Sequence, residues 1–139
     1  MQGKIVCVGL NYVDHTEETG FELPYEPLVL FKSPTALSGP FDPIVIPKTP
    51  DAVDWEVELG VVIGGFVRNV PERDARDVIA GFVVADDLTD RGWQFERGGQ
   101  WSKGKSADSF APVGPWLVTS DQFPDTPDLA QKEHRHETR

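Results

Sequence analysis

The chain has 139 residues, 23 of them acidic and 13 basic, for a formal net charge of −10. That balance excludes nucleic acid and anionic membrane as main partners, because phosphate recognition needs a basic footprint. The length suits one domain, eight Phe and four Trp argue against disorder, and no apolar run could span a bilayer.

The start, "MQGKIVCVGL", lacks the basic-then-apolar pattern of a secretory leader, so a soluble cytoplasmic protein is expected. "KIVCVGL" reads as a first strand ending at Gly9. Its single cysteine, Cys7, has no internal partner for a disulfide, which agrees with a reducing compartment, and it is expected to be a buried structural thiol. In "NYVDHTEETG", Asp14 and Glu17 have the spacing of a helix start and Gly20 that of a stop, so little more than one turn fits. His15 and Glu18 then share a face at i and i+3. A carboxylate there orients the imidazole and favours its protonated form, the arrangement of a general base acting on water. A solvated His beside a solvated Glu has the same spacing.

Residues 21–53 carry seven prolines, with "LVLFK" and "IVIP" between them, which excludes a long helix and predicts short strands and extended linkers. "DWEVELGVVIG" then alternates cleanly. Trp55, Val57, Leu59, Val61 and Ile63 form the apolar face expected to be half-buried, and Glu56 and Glu58 lie opposite. Side chains at i and i+2 of a strand start about 6.5 to 7 Å apart. Two carboxylates at that distance repel unless a cation lies between them. The bland alternative is a solvated strand face.

"RNVPERDARDVIAGFVV" predicts a helix beginning near Pro71 and a strand at 82–84. Asp86 and Asp87 stand at the end of that strand, where a third oxygen ligand would complete a cage for Mg2+ or Mn2+. The polar, glycine-rich stretch that follows reads as a long functional loop, and "GPWLVT" as a further strand. Within the loop, "GGQWSKGKS" matches the pattern of a phosphate-binding loop. The buried strand before it and the helix after it, which that chemistry requires, are both missing, so the nucleotide reading is rejected. The tail "QKEHRHETR", 131–139, has nothing to bury and predicts a disordered terminus despite its two histidines.

Five collinear stretches, "VGLNYVDHTEETG", "EPLVLFKSPTALSGP", "DWEVELGVVIG", "AGFVVADDLTDRGWQ" and "GGQWSKGKSADSFAPVGPWLVT", resemble the fumarylacetoacetate hydrolase family over residues 3–130. The resemblance is strongest to the branch of 2,4-diketo-3-deoxy-fuconate hydrolases and ureidoglycolate lyases. It implies an α+β, β-rich mixed β-roll, with 1–130 as the N-terminal and central part of the catalytic domain. It also implies a divalent metal, Mg2+ or Mn2+, on Glu56, Glu58 and Asp87, and hydrolysis of a carbon–carbon bond in a small 2-oxo acid bearing a second carbonyl. His15 and Glu18 would activate water, while Arg91, Gln94 and Lys105 would donate to substrate oxygens or to the developing oxyanion. A homodimer or higher oligomer is implied too.

The family's pattern continues past residue 130 with further strands and a glycine-rich segment, which this sequence replaces by its polar tail. The expectation is therefore a C-terminally truncated roll. Ureidoglycolate lyase, 2-oxo-acid decarboxylase or isomerase chemistry on the same site, and an inactive metal-binding fragment, remain as alternatives.

Overall fold

The computed structural model describes residues 3–12, 24–48, 50 and 52–123. In chain order its strands are β1 (Ile5–Gly9), β2 (Leu28–Lys32), β3 (Leu37–Ser38), β4 (Val53–Asp54), β5 (Val57–Ile63), β6 (Ile79–Asp86), β7 (Thr89–Asp90), β8 (Ala111–Pro112) and β9 (Val118–Thr119). Among the described residues a short α-helix, α1 (Trp101–Lys105), precedes β8. The result is a mixed α+β fold with several small sheets and little helix. No helix among the described residues is long and apolar enough to cross a membrane.

β1 and β2 pair antiparallel, β3 runs parallel to β8, and β6 is the middle strand of a sheet ordered β5-β6-β9. The β4–β7 pair continues the β5–β6 ladder past one irregular step. There the Asp87 N–H donates to the Glu56 carbonyl at 2.8 Å, and beyond it the Arg91 N–H donates to that of Ala52 at 2.7 Å. Residues 52–63 therefore run beside residues 79–91 almost without interruption, with Glu56 and Asp87 at the step.

Alternation decides which side chains turn inward, and the outcome differs from the sequence expectation. In β1 and β2, Leu30 and Lys32 are buried, while Val6, Val8, Val29 and Phe31 are exposed. In β5 the supposed inner face, Val57, Val61 and Ile63, is exposed, and the carboxylate face is the more enclosed one. Val84, which pairs with Leu59, is 58% exposed. The pattern was read correctly as two faces. Which face is covered depends on what packs against it, and among the described residues the apolar side is left about half open.

Other local expectations shift as well. "IVIP" (44–47) is extended but unpaired, and the stretch after Pro71 is a 3-10 helix, Glu72–Val78. Of "GPWLVT", Val118–Thr119 pairs with β6. The predicted loop contains a five-residue π-type turn, Gly92–Glu96, followed by α1. Residues 124–139, including the predicted tail, lie outside the described residues.

Among the described residues the apolar core is a small cluster of Ala36, Leu88, Phe110 and Ala111, with Ile5, Val53 and Ala107 against them. It sits where β3 and β8 meet the turn between β6 and β7. Helix α1 is anchored beside it by polar contacts. Ser102 Oγ accepts from the Phe31 N–H at 3.2 Å, and Ser106 Oγ accepts from the Ser33 N–H at 2.9 Å, so hydroxyls serve the edge of β2. On its other side α1 closes onto the 92–96 turn. A Cβ at Gly104 would come within 2.6 Å of the Asp90 carbonyl oxygen and 2.9 Å of the Gln94 nitrogen. Only glycine permits that approach without moving backbone.

Candidate functional site

The irregular step between β6 and β7 places side chains from three segments around one point. Direct partners on antiparallel strands share a face, so Asp86, opposite Val57, belongs with the outer row, and Asp87 falls on the side of Glu56 and Glu58. Asp86 instead accepts from the Glu56 N–H at 3.1 Å, which holds the step in shape. Lys105 arrives from α1, brought close by Gly104.

The Lys105 ammonium is buried and uses all three of its protons. It donates to Glu56 Oε2 at 2.6 Å, Asp87 Oδ2 at 2.6 Å and Thr89 Oγ1 at 2.8 Å. Lys32, from the inner face of β2, pairs with the other oxygen of Asp87 and donates to the Leu88 carbonyl at 3.0 Å. Arg91 clamps the opposite side. It donates to Glu56 Oε1 at 2.9 Å, to Asp54 Oδ2 at 2.9 and 3.1 Å, and to Gln94 Oε1 at 3.0 Å. Asp90, with no exposed surface, accepts from the Trp93 N–H at 3.0 Å and so starts the turn that carries Gln94. Tyr12 hydrogen-bonds to Glu58.

The electrostatics separate the two glutamates. Burial works to raise the Glu56 carboxyl, but Lys105 and Arg91 against it overcome this and bring it down to about 2. Glu58 is raised to about 7 by burial and by the charges of Asp87 and Glu56, with Tyr12 offsetting only part. Burial lowers Lys32 despite its pairing with Asp87. Cys7, on the inner face of β1, is raised to about 11 by burial and by the charge of Asp87. The sequence expectation is a buried thiol; Cys7 is half-buried.

Of the residues picked from the sequence, Glu56, Asp87, Arg91, Gln94 and Lys105 belong to one hydrogen-bonded network, and Glu58 is coupled to it by charge. Arg91 and Gln94 are turned into this network, with Gln94 buried. His15 and Glu18 lie outside the described residues. The glycine–lysine pair of the phosphate-loop look-alike lies inside α1, where Gly104 serves a backbone contact and Lys105 the carboxylates.

Sequence reasoning missed Lys32, Thr89 and Asp54. The signal for Lys32 was available. It shares strand parity with Leu28 and Leu30, so a charged residue stood on an otherwise apolar inner row.

The chemistry of the donor set suits a hard cation, since carboxylate oxygens are the ligands Mg2+ and Mn2+ prefer. An ammonium already stands between Glu56 and Asp87, and burial together with the charges of Asp87 and Glu56 favours the protonated form of Glu58. As the side chains stand, no three Asp, Glu, His or Cys among the described residues form a metal-holding group. An ion on Glu56 and Asp87 would compete with the Lys105 ammonium for the oxygens it now holds.

The sequence profile for the fumarylacetoacetate (FAA) hydrolase C-terminal family matches residues 4–138. A protein of Burkholderia lata, provisionally described as a hydrolase, is 53% identical over 123 residues, covering 88% of this chain and 44% of its own length. A crystal structure of a Mycobacterium smegmatis protein provisionally named HpcE superposes with a TM-score of 0.80 at 40% identity, over 90% of this chain and 44% of that one. A 5-carboxymethyl-2-hydroxymuconate delta-isomerase from the same organism gives 0.73 at 40% identity, over 84% and 46%. The chain thus spans less than half the length of these relatives.

Proposed function

Since the chain belongs to the fumarylacetoacetate hydrolase family, we propose that it carries the cation-binding part of a divalent-metal-dependent hydrolase that cleaves a carbon–carbon bond in a 2,4-diketo acid. The observation that carries this reading is the convergence of Glu56 and Asp87 on a single buried cation, the Lys105 ammonium. Glu56, Glu58 and Asp87 would hold Mg2+ or Mn2+. When bound, the metal supplies a Lewis acid for the carboxylate and 2-oxo oxygens and for the enolate that cleavage leaves.

The chain's own groups supply the rest. Lys105, displaced from the carboxylates, has two protons free to offer substrate oxygens, and Arg91 keeps Glu56 charged and oriented. His15, backed by Glu18, would take a proton from the water that attacks the distal carbonyl. The C–C bond then breaks with its electron pair passing to the enolate, and the same proton returns to the enolate carbon. The products are a 2-oxo acid and a carboxylic acid.

Isomerisation of a 2-hydroxy-dienoate is the second reading, favoured by the delta-isomerase at 40% identity. It uses the same metal site and moves a proton without consuming water.

Binding is the sound first test, because the chain spans 44% of its curated relative. Mn2+ should raise the thermal unfolding midpoint by mass action, and oxalate, a mimic of the pyruvyl enolate, should raise it further. Glu56→Gln should abolish both effects. A midpoint indifferent to Mn2+ would overturn the reading.

A further inference from the structure

Thr89 enters none of the chemistry above, yet it touches three members of the site. Its side chain has no exposed surface. Its oxygen accepts from Lys105 Nζ at 2.8 Å, and its proton faces two acceptors, Glu56 Oε2 at 3.1 Å and the Asp87 carbonyl at 2.9 Å. A hydroxyl has one proton and two lone pairs, so it can receive Lys105 and steady Glu56 at once. Its backbone adds a fourth tie, since β7 pairs Thr89 with Asp54, the carboxylate that anchors Arg91.

Lys105 has three acceptors here, and two of them are the carboxylates that a divalent cation would take. Thr89 is the acceptor that such an exchange leaves in place. We infer that Thr89 is a positioning residue, whose hydroxyl fixes the orientation of Glu56 and holds the Lys105 ammonium beside the site once a cation has claimed Glu56 and Asp87. The inference rests on the cation reading of the preceding section. It distinguishes threonine from valine, which has nearly the same shape and strand preference and lacks only the polar atom.

The test is Mn2+ titration of the purified chain, following the free-ion paramagnetic resonance signal, alongside urea unfolding without metal. Thr89→Val should weaken Mn2+ binding by about tenfold or more, the size of effect seen when groups supporting metal ligands are removed. Thr89→Ser, which restores the hydroxyl, should recover the original affinity. A purely structural Thr89 would lower the urea midpoint of the valine variant and leave its Mn2+ affinity untouched, which overturns the inference. Equal losses in the valine and serine variants would overturn it too. If Thr89→Val does not fold, Thr89→Ala is read by the same criteria. Failure of both beside a folded serine variant marks the residue as structural and also overturns it. Absence of Mn2+ binding by the unaltered chain is a separate result, which removes the cation site itself.

Discussion

The centre of this molecule and the outer faces of its two larger sheets contrast in a sense opposite to that of an ordinary domain. At the centre, Lys32, Thr89, Asp90, Gln94 and Lys105 are buried. On the outside, Val6, Val8 and Phe31 of one sheet and Val57, Val61, Ile63 and Val84 of the other are exposed. Polar groups withdrawn from water must be paired, whereas apolar groups in water need no partner but contribute little. The geometry of the site is therefore held by ion pairs and hydrogen bonds over a small apolar cluster.

Breaking the centre should have the largest effect. Lys105→Met leaves Glu56 and Asp87 without the ammonium between them and should destabilise the metal-free chain by about 3 kcal/mol in urea unfolding. Mn2+ should restore much of that loss, and should bind more tightly than to the unaltered chain because its competitor is gone. If Lys105→Met unfolds no more easily, the pairing is not what holds the centre. Next in size is Gly104→Ala, which drives a methyl into the Asp90 carbonyl and should cost about 2 kcal/mol. A high-resolution structure of that variant should show α1 displaced from the 92–96 turn.

The two glutamates sharpen the contrast through pH. Glu56 lies below its ordinary 4.5, at about 2, so its contribution is complete above pH 4.5 and is lost as pH falls toward 2. Glu58 lies above 4.5, at about 7, so the folded state keeps a proton that the unfolded chain gives up. Metal-free stability should therefore decline between pH 4.5 and 7, by about 2 kcal/mol once partial solvent access is allowed for. Urea midpoints across that range should show the decline, and Glu58→Gln should flatten it. The smallest effect belongs to the outer faces. Val61→Thr and Val84→Thr should change stability by no more than about 0.5 kcal/mol, as exposed substitutions do. A loss of 2 kcal/mol at either would show that these faces are covered in solution.

Much of this was legible from the residues, within limits that the strands make plain. "KIVCVGL" marked β1 and its end at Gly9, and the alternation of "DWEVELGVVIG" separated carboxylates from valines. Alternation does not say which face is covered, because that depends on residues far away in the chain. In "ADD" the resemblance implies Asp87 and the residues alone leave Asp86 open; the register sets Asp86 opposite Val57 and Asp87 on the side of Glu56 and Glu58. "SKGKS" carried the clearest lesson. Its glycine and lysine looked like a phosphate loop, but the requirement on Gly104 comes from the Asp90 backbone 14 positions earlier, which no local pattern records. Lys32 went unnoticed because a lysine closing an apolar strand looks like a solvated end. The partner that buries it, Asp87, is 55 residues away.

With the ammoniums of Lys32 and Lys105 already seated among the carboxylates, the metal-free chain never presents bare anions to its own interior. Small zinc domains, by contrast, unfold when their ion is removed. If the site takes a divalent ion as proposed, a chelator should leave the architecture standing, because the two ammoniums already pair the carboxylates without it. On that reading, the supply of metal would set how many copies hold the ion, and not how many are folded.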